Sequence, residues 1–229
     1  MSNLPLLISV PHAGTVIPEE VKDICILSEQ DITADGDEGA REIYDIEDLV
    51  EAYVTTDVPR AIVDVNRGPD DMRDDGVIKK VTIWNKPVYS MQPDRNLISS
   101  MIERYYMPYH QKLTALSGRD IILGIDCHTM VAEAPPIDKE PGKERPDICL
   151  GSGDGACPEE ILQIIKDALE EAFGRQVAIN DPFGGGYIIR SHSSELPWVQ
   201  LEIARRDFMD FEKKRECVSN AFIEICSVL

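Results

Sequence analysis

The chain has 229 residues, 43% of them apolar, enough to bury one well-packed α/β core. Its 42 acidic residues against 23 lysines and arginines give a formal charge of −19, a field that repels nucleic acid backbones and anionic lipid. An anionic small molecule would be repelled as well, so a site for one must gather arginine locally. Cys25, Cys127, Cys149, Cys157, Cys217 and Cys226 include no Cys-x-x-Cys pair, which argues against a disulfide scaffold or a thiolate zinc site and fits a reduced, cytoplasmic compartment. MSNLPLLISV carries neither a basic leader nor a cleavage site, and no apolar run approaches the roughly 18 residues of a spanning helix, so neither export nor a membrane is expected.

In chain order, residues 6–10 (LLISV) predict a buried strand, yet the run ends in Pro11 and His12, where packing asks for no imidazole. TADGDEGAREIYD then sets Asp35, Asp37 and Glu38 ahead of a helix predicted over 39–53; an acid there either caps the helix or serves as a ligand. Residues 61–65 predict a second strand, which ends in Asn66 and Arg67 before the turn-forming Gly68 and Pro69. An arginine at the carboxyl end of a strand can fork both oxygens of a substrate carboxylate, or pair with the nearby Asp64, Asp70 and Asp71. A third strand is predicted over 77–84.

Ile98, Ile102, Tyr105, Tyr109, Leu113 and Leu116 share one helical face, with Pro108 expected to kink the helix and His110 assigned to structure. Residues 121–126 predict a strand that delivers His128, with Cys127 on the opposite sheet face as a small hydrophobe. The polar, proline-rich segment 131–147 is long enough to read as a lid or rim. GSGDGACPEE precedes the helix of Ile161, Ile165, Ala168 and Ala172; it lacks the lysine of a phosphate-binding loop and carries Asp154, so phosphate binding is rejected. Strands follow over 177–179, over 187–190 with Arg190 after three glycines, and over 198–203 with Glu202 inside VQLEIAR. A helix through Phe211, Val218, Phe222 and Ile225 closes the chain. This alternation predicts one α/β domain over residues 1–229, a three-layer arrangement whose mostly parallel or mixed sheet is covered by helices on both faces. Functional residues are then expected at the carboxyl ends of the strands.

There, His12 and His128 end two apolar strands and would emerge on one edge, an arrangement that suits a shared metal. Catalytic zinc typically takes three protein ligands, so an acid among Asp35, Asp37 and Glu38 would complete the set. A carboxylate inside an apolar strand is costly without a partner, and desolvation raises its pKa toward the range useful to a general base, which makes Glu202 the candidate base. The alternative is an ion pair with Arg205 or Arg206.

Taken together, PHAG, DGDEGAREIYD, DVNRGPDD, DCHTM, FGGGYIIR and VQLEIAR resemble the N-formylglutamate amidohydrolase family in order and spacing, from Leu6 to Arg205. The resemblance implies a zinc-carboxypeptidase-like α/β fold and hydrolysis of a small anionic N-acyl amino acid, in the family's case N-formylglutamate to formate and glutamate. It implies one Zn2+ per chain on His12, Asp37 and His128, Glu202 as general base, an Asn66–Arg67 pair for the substrate carboxylate as in the wider carboxypeptidase and aspartoacylase group, and Arg67 and Arg190 sharing carboxylate and oxyanion binding. The chain departs from the family at Glu38 and Gly39, where bulky residues are usual, and at Ser191, which separates Arg190 from His192. Two other readings are a peptidoglycan amidase, which the missing export signal disfavours, and a non-catalytic metal or carboxylate-binding module, which has no use for Glu202.

Overall fold

A computed structural model describes residues 3–118 and 120–229. Among them, β1 (Leu4–Val10), β2 (Val50–Thr55), β3 (Leu123–Met130), β4 (Ile148–Gly151), β5 (Val177–Ile179) and β6 (Trp198–Ala204) form one mixed sheet in the order β2-β1-β3-β6-β4-β5. The first four in that order run parallel, and β4 with β5 runs antiparallel to them. Parallel pairing of β1 with β3, Ser9 opposite Asp126, brings the ends that carry His12 and His128 to one edge, as expected.

Helices cover both faces. α2 (Ala40–Ile43), α5 (Glu159–Phe173) and α7 (Phe211–Val228) pack with Ile8, Val10, Cys127 and Leu201 in one apolar cluster. On the other face α3 (Arg95–Met101), α4 (Met107–Ser117) and α6 (Tyr187–His192) contribute to a second cluster with Leu7 and Trp198. A Cβ at Gly124 would lie 2.3 Å from the Trp198 ring, so glycine there lets the indole lie flat against β3. The remaining helix, α1 (Glu29–Asp35), begins with a capping box between Ser28 and Asp31.

Several elements differ from the sequence reading, each for a local reason. The helix expected over 39–53 stops after α2, because Val50, Ala52 and Val54 are buried while their neighbours are not, and that two-residue alternation is an edge strand. Residues 61–65 are buried but form no strand: Ile62 and Val63 both donate to the Pro59 carbonyl and Asp64 to Val77, so a turn satisfies the backbone that a ladder would otherwise satisfy. Residues 77–84 fold as irregular turns with one isolated bridge, Val81 to Pro87. Residues 187–190, read as a strand, are the start of α6. β4, four residues long, was not expected.

Arg95 to Ser117 is helical throughout, as α3, a π turn at Ile102–Tyr106 and α4. The widened turn lies just ahead of Pro108, where a kink was expected. Pro108 has no N–H to offer the carbonyl four residues before it. Segment 131–147 turns back on itself through a bridge between Glu133 and Glu144, and Ile137 donates to the Ile83 carbonyl.

Candidate metal centre and active site

His12 lies two residues past β1, His128 sits within β3, and Asp37 follows α1 where Gly36 closes the helix and the Asp37 N–H donates to the His12 carbonyl. These three buried side chains converge: Asp37 Oδ2 lies 2.8 Å from His128 Nδ1 and 3.5 Å from His12 Nδ1. The far nitrogen of each ring faces another buried carboxylate, His12 Nε2 to Asp64 at 2.9 Å and His128 Nε2 to Asp126 at 2.9 Å. A carboxylate accepts, so each Nε2 carries the proton in the neutral ring and each Nδ1 presents a lone pair. Two imidazole nitrogens and a carboxylate oxygen therefore face one another, a set that repels unless a proton or a metal cation lies between them. Carboxylate-backed histidines are the usual support of metal ligands, and the donor set fits a divalent ion.

Electrostatics carry the same demand. Burial opposes a charge on His128, yet Asp126, Asp37 and Glu202 outweigh it and hold its pKa well above the usual imidazole range. Burial also works against an ionised Asp37, but His12 and His128 keep its carboxyl well below the usual range. Asp64 behaves in the same way against burial, through His12, Arg67 and Arg60. The pocket is arranged for more positive charge than its neutral side chains supply.

Neither Asp35 nor Asp37 caps α2, whose N-cap is Gly39 with no side-chain bond. Asp35 is the last residue of α1 and points away from the histidines: it accepts from Lys79 Nζ at 3.1 and 3.3 Å and from the Ile83 N–H at 2.6 Å. Lys79 is 1% exposed, and burial together with Arg60 lowers its pKa to about 8. Removing one member of a buried ion pair strands the other charge, so Lys79→Met is expected to lower stability by about 3 to 5 kcal/mol, measured by urea unfolding. An unchanged midpoint and slope would show that Arg60, 3.8 Å from Asp35, is partner enough.

Sequence reasoning missed Arg60. Its guanidinium lies 3.5 Å from Asp37 Oδ1 and 3.4 Å from His12 Nδ1, and its buried Nε has no hydrogen-bond partner among the described residues. The signal was present, an arginine directly before the apolar run 61–65 in a strongly acidic chain. Arg205 also approaches Asp37 Oδ1, to 3.6 Å, and donates to Thr129 Oγ1 and to the Gly36 carbonyl. One Asp37 oxygen is thus held by two guanidiniums, while the other faces the imidazoles.

Glu202 is directly across the β3–β6 ladder from His128, 5% exposed, and burial raises its pKa, with Asp37 adding to the effect. The ion pair offered as its alternative role is not formed: Arg205 turns to Asp37 and Thr129, and Arg206 to Asp147 and the carbonyls of Ala132 and Arg145.

The substrate-binding expectations fare unevenly. The Asn66 side chain is engaged at both ends, donating to Asp126 Oδ2 at 3.1 Å and accepting from the Ile188 N–H at 2.8 Å, so it braces the carboxylate behind His128 and ties α6 to it. The expected Asn66–Arg67 pair is therefore split. Arg67 is partly exposed, donates to the Asp75 carbonyl at 3.1 Å, and lies 4.0 Å from Asp64 and 3.8 Å from the Asp75 carboxylate. Arg190 stands on α6 rather than on a strand; its half-exposed guanidinium meets Asp154 at 3.0 Å, and no contact links it to the histidine pair among the described residues. A cleft of about 360 Å³ opens onto His12 and Asp37, lined also by Thr15, Thr33, Arg41 and Phe211.

Half-buried His110 and buried His192 form a second histidine pair, stacked at 5.2 Å with Nδ1 and Nε2 2.9 Å apart, and His192 faces Glu195. His110 belongs to α4 and His192 to α6, so the pair bridges the two helices.

The model of the N-formylglutamate amidohydrolase family matches residues 4–209. The N-formylglutamate deformylase of Pseudomonas putida is 28% identical over 224 residues, spanning 90% of this chain and 82% of that protein. Its counterpart in Pseudomonas aeruginosa is 27% identical, spanning 90% and 83%. In three dimensions the chain is similar to N-formylglutamate amidohydrolase from Ralstonia eutropha JMP134, with a TM-score of 0.82 at 21% identity, covering 100% of this chain and 94% of that one. With that model matching residues 4–209, most of its length, the chain belongs to the N-formylglutamate amidohydrolase family.

Proposed function

We propose that the protein is a zinc-dependent amidohydrolase that cleaves the amide bond of an N-acyl amino acid, with N-formylglutamate, the substrate in its relatives' names, as the first candidate. The observation that carries this reading is the convergence of His12 Nδ1, His128 Nδ1 and Asp37 Oδ2, each imidazole backed by a buried carboxylate, with the Glu202 carboxylate across the ladder. A zinc ion held by these three residues would act as a Lewis acid on the scissile carbonyl and lower the pKa of water toward about 7.

Around it the chain's own groups divide the work. Glu202, raised in pKa by burial, takes a proton from the attacking water and returns it to the leaving nitrogen. Arg60 and Arg205 orient Asp37 and supply positive charge where negative charge develops on the carbonyl oxygen. Arg67 is the candidate for the substrate carboxylate, because its guanidinium is partly exposed at the edge of the cluster and its acidic neighbours lie no closer than 3.8 Å. Arg190 serves at the rim, free to exchange the exposed Asp154 for a substrate anion.

The test is hydrolysis of a panel of N-acyl amino acids by the purified protein, with and without a chelator. Release of formate from N-formylglutamate that stops on chelation and returns with zinc supports the reading; chelator-resistant hydrolysis, or none across the panel after zinc loading, removes it. Within the panel, Arg67→Ala is expected to impair substrates bearing a free α-carboxylate about ten- to a hundredfold more in kcat/KM than their amides, the scale of a hydrogen bond to a charged group. Equal losses would assign Arg67 to the fold or to the oxyanion, and Arg190→Ala is expected to cost far less.

A further inference from the structure

The structure assigns to Gln200 the positioning of the Glu202 carboxylate, an inference that rests on the reading of Glu202 as the general base. Gln200 lies two residues before Glu202 on β6, so both side chains leave the same face of the sheet, and both are 5% exposed. The orientation of its amide is fixed by chemistry. The Gly186 N–H, which can only donate, meets Gln200 Oε1 at 2.6 Å, so Oε1 is the oxygen and the amide nitrogen necessarily faces Glu202, donating to Oε1 of the carboxylate at 2.7 Å. Among the described residues the other Glu202 oxygen has no hydrogen-bond partner, which leaves that oxygen as the one able to take a proton.

The far end of the bridge reaches the frame of the metal ligands. A Cβ at Gly186 would lie 2.3 Å from Asn66 Oδ1, so only glycine lets this segment press against the Asn66 amide. Asn66 in turn donates to Asp126, the carboxylate behind His128. Gln200 thereby ties Glu202 to the same scaffold that orients His128, and the two stay in register. A residue that merely filled space would need neither bond, and leucine would fill the same volume in a buried strand. Gln200 touches no reacting atom in this arrangement. Its effect passes through the orientation of Glu202, where a small misplacement of a catalytic group is costly to rate.

The experiment is a double-mutant cycle between Gln200→Met and Glu202→Gln, read by kcat, KM, bound metal and melting temperature, with N-formylglutamate as substrate. Gln200→Met is expected to lower kcat about tenfold or more, the order of a lost hydrogen bond to a charged group, with KM and metal content within about twofold of the parent. In the Glu202→Gln background the same substitution should change the residual rate little, because the group it positions is no longer a base. An equal fold-loss in both backgrounds, or a loss confined to KM and melting temperature, overturns the positioning role while leaving Glu202 as the base. Wild-type kcat in Glu202→Gln itself overturns the underlying reading instead. Gln200→Leu fills much the same volume and makes neither bond, so it too should lose kcat; full activity in this variant overturns the inference even if Gln200→Met fails to fold.

Discussion

Glu202→Gln is expected to lower kcat by about 10²- to 10⁴-fold, the range for loss of a general base, with bound metal near one per chain and melting temperature close to the parent. Three features of the site set that expectation. Glu202 lies across the ladder from His128, burial raises its pKa, and neither neighbouring arginine pairs with it. Glutamine keeps the length and can still accept from the Gln200 amide at the oxygen that now takes that bond, so little packing is lost. What disappears is a second oxygen able to carry a proton. A structural Glu202 predicts the reverse pattern, a clear fall in melting temperature with near-parental kcat per folded molecule. Such a result would leave a metal-binding module as the better description.

His12→Ala, His128→Ala and Asp37→Ala are each expected to abolish stoichiometric zinc binding and, with it, hydrolysis, whereas Asp35→Ala should keep the metal and lose stability instead. Loss of one of three protein ligands leaves a divalent ion with too few donors for a structurally defined site. Asp35 differs from Asp37 because its oxygens are taken by Lys79 and the Ile83 N–H. One step further out, Asp64→Ala and Asp126→Ala should weaken metal affinity about ten- to a hundredfold by freeing the imidazoles to rotate or change tautomer. Metal analysis by plasma emission, together with the rise in melting temperature on adding zinc, measures all six variants. Because a ligand stabilises only a state that binds it, the rise should vanish in the three ligand variants and shrink in the two carboxylate variants. Full zinc in both histidine variants would show that the metal sits elsewhere.

The parts of this protein legible in its sequence are those where a local pattern has one physical meaning. LLISV and the strand that delivers His128 could be read because short apolar runs suit a central parallel strand, and parallel neighbours must present their carboxyl ends on one edge. The helix through Tyr109 and Leu113 and the helices α5 and α7 followed from a period of 3.6 that no other structure satisfies. The pairing of His12 with His128 came from the same reasoning, and so did the candidacy of Glu202, a costly charge in an apolar strand.

Tertiary structure decided the rest. Residues 61–65 and 187–190 are as apolar as the true strands, but whether a short buried run joins a ladder depends on a partner strand that the run itself cannot specify. Asp35 and Asp37, two residues apart, were equivalent as sequence; the end of α1 directs one to Lys79 and the turn at Gly36 directs the other to the histidines. Asn66 looked like half of a substrate clamp until α6 closed over it. Arg60, Asp126 and Gln200, and Asp64 as the partner of His12, entered through contacts spanning 2 to 60 residues of chain, because the groups that orient a ligand or a base are chosen by proximity in the fold, and a one-dimensional pattern carries no record of that proximity.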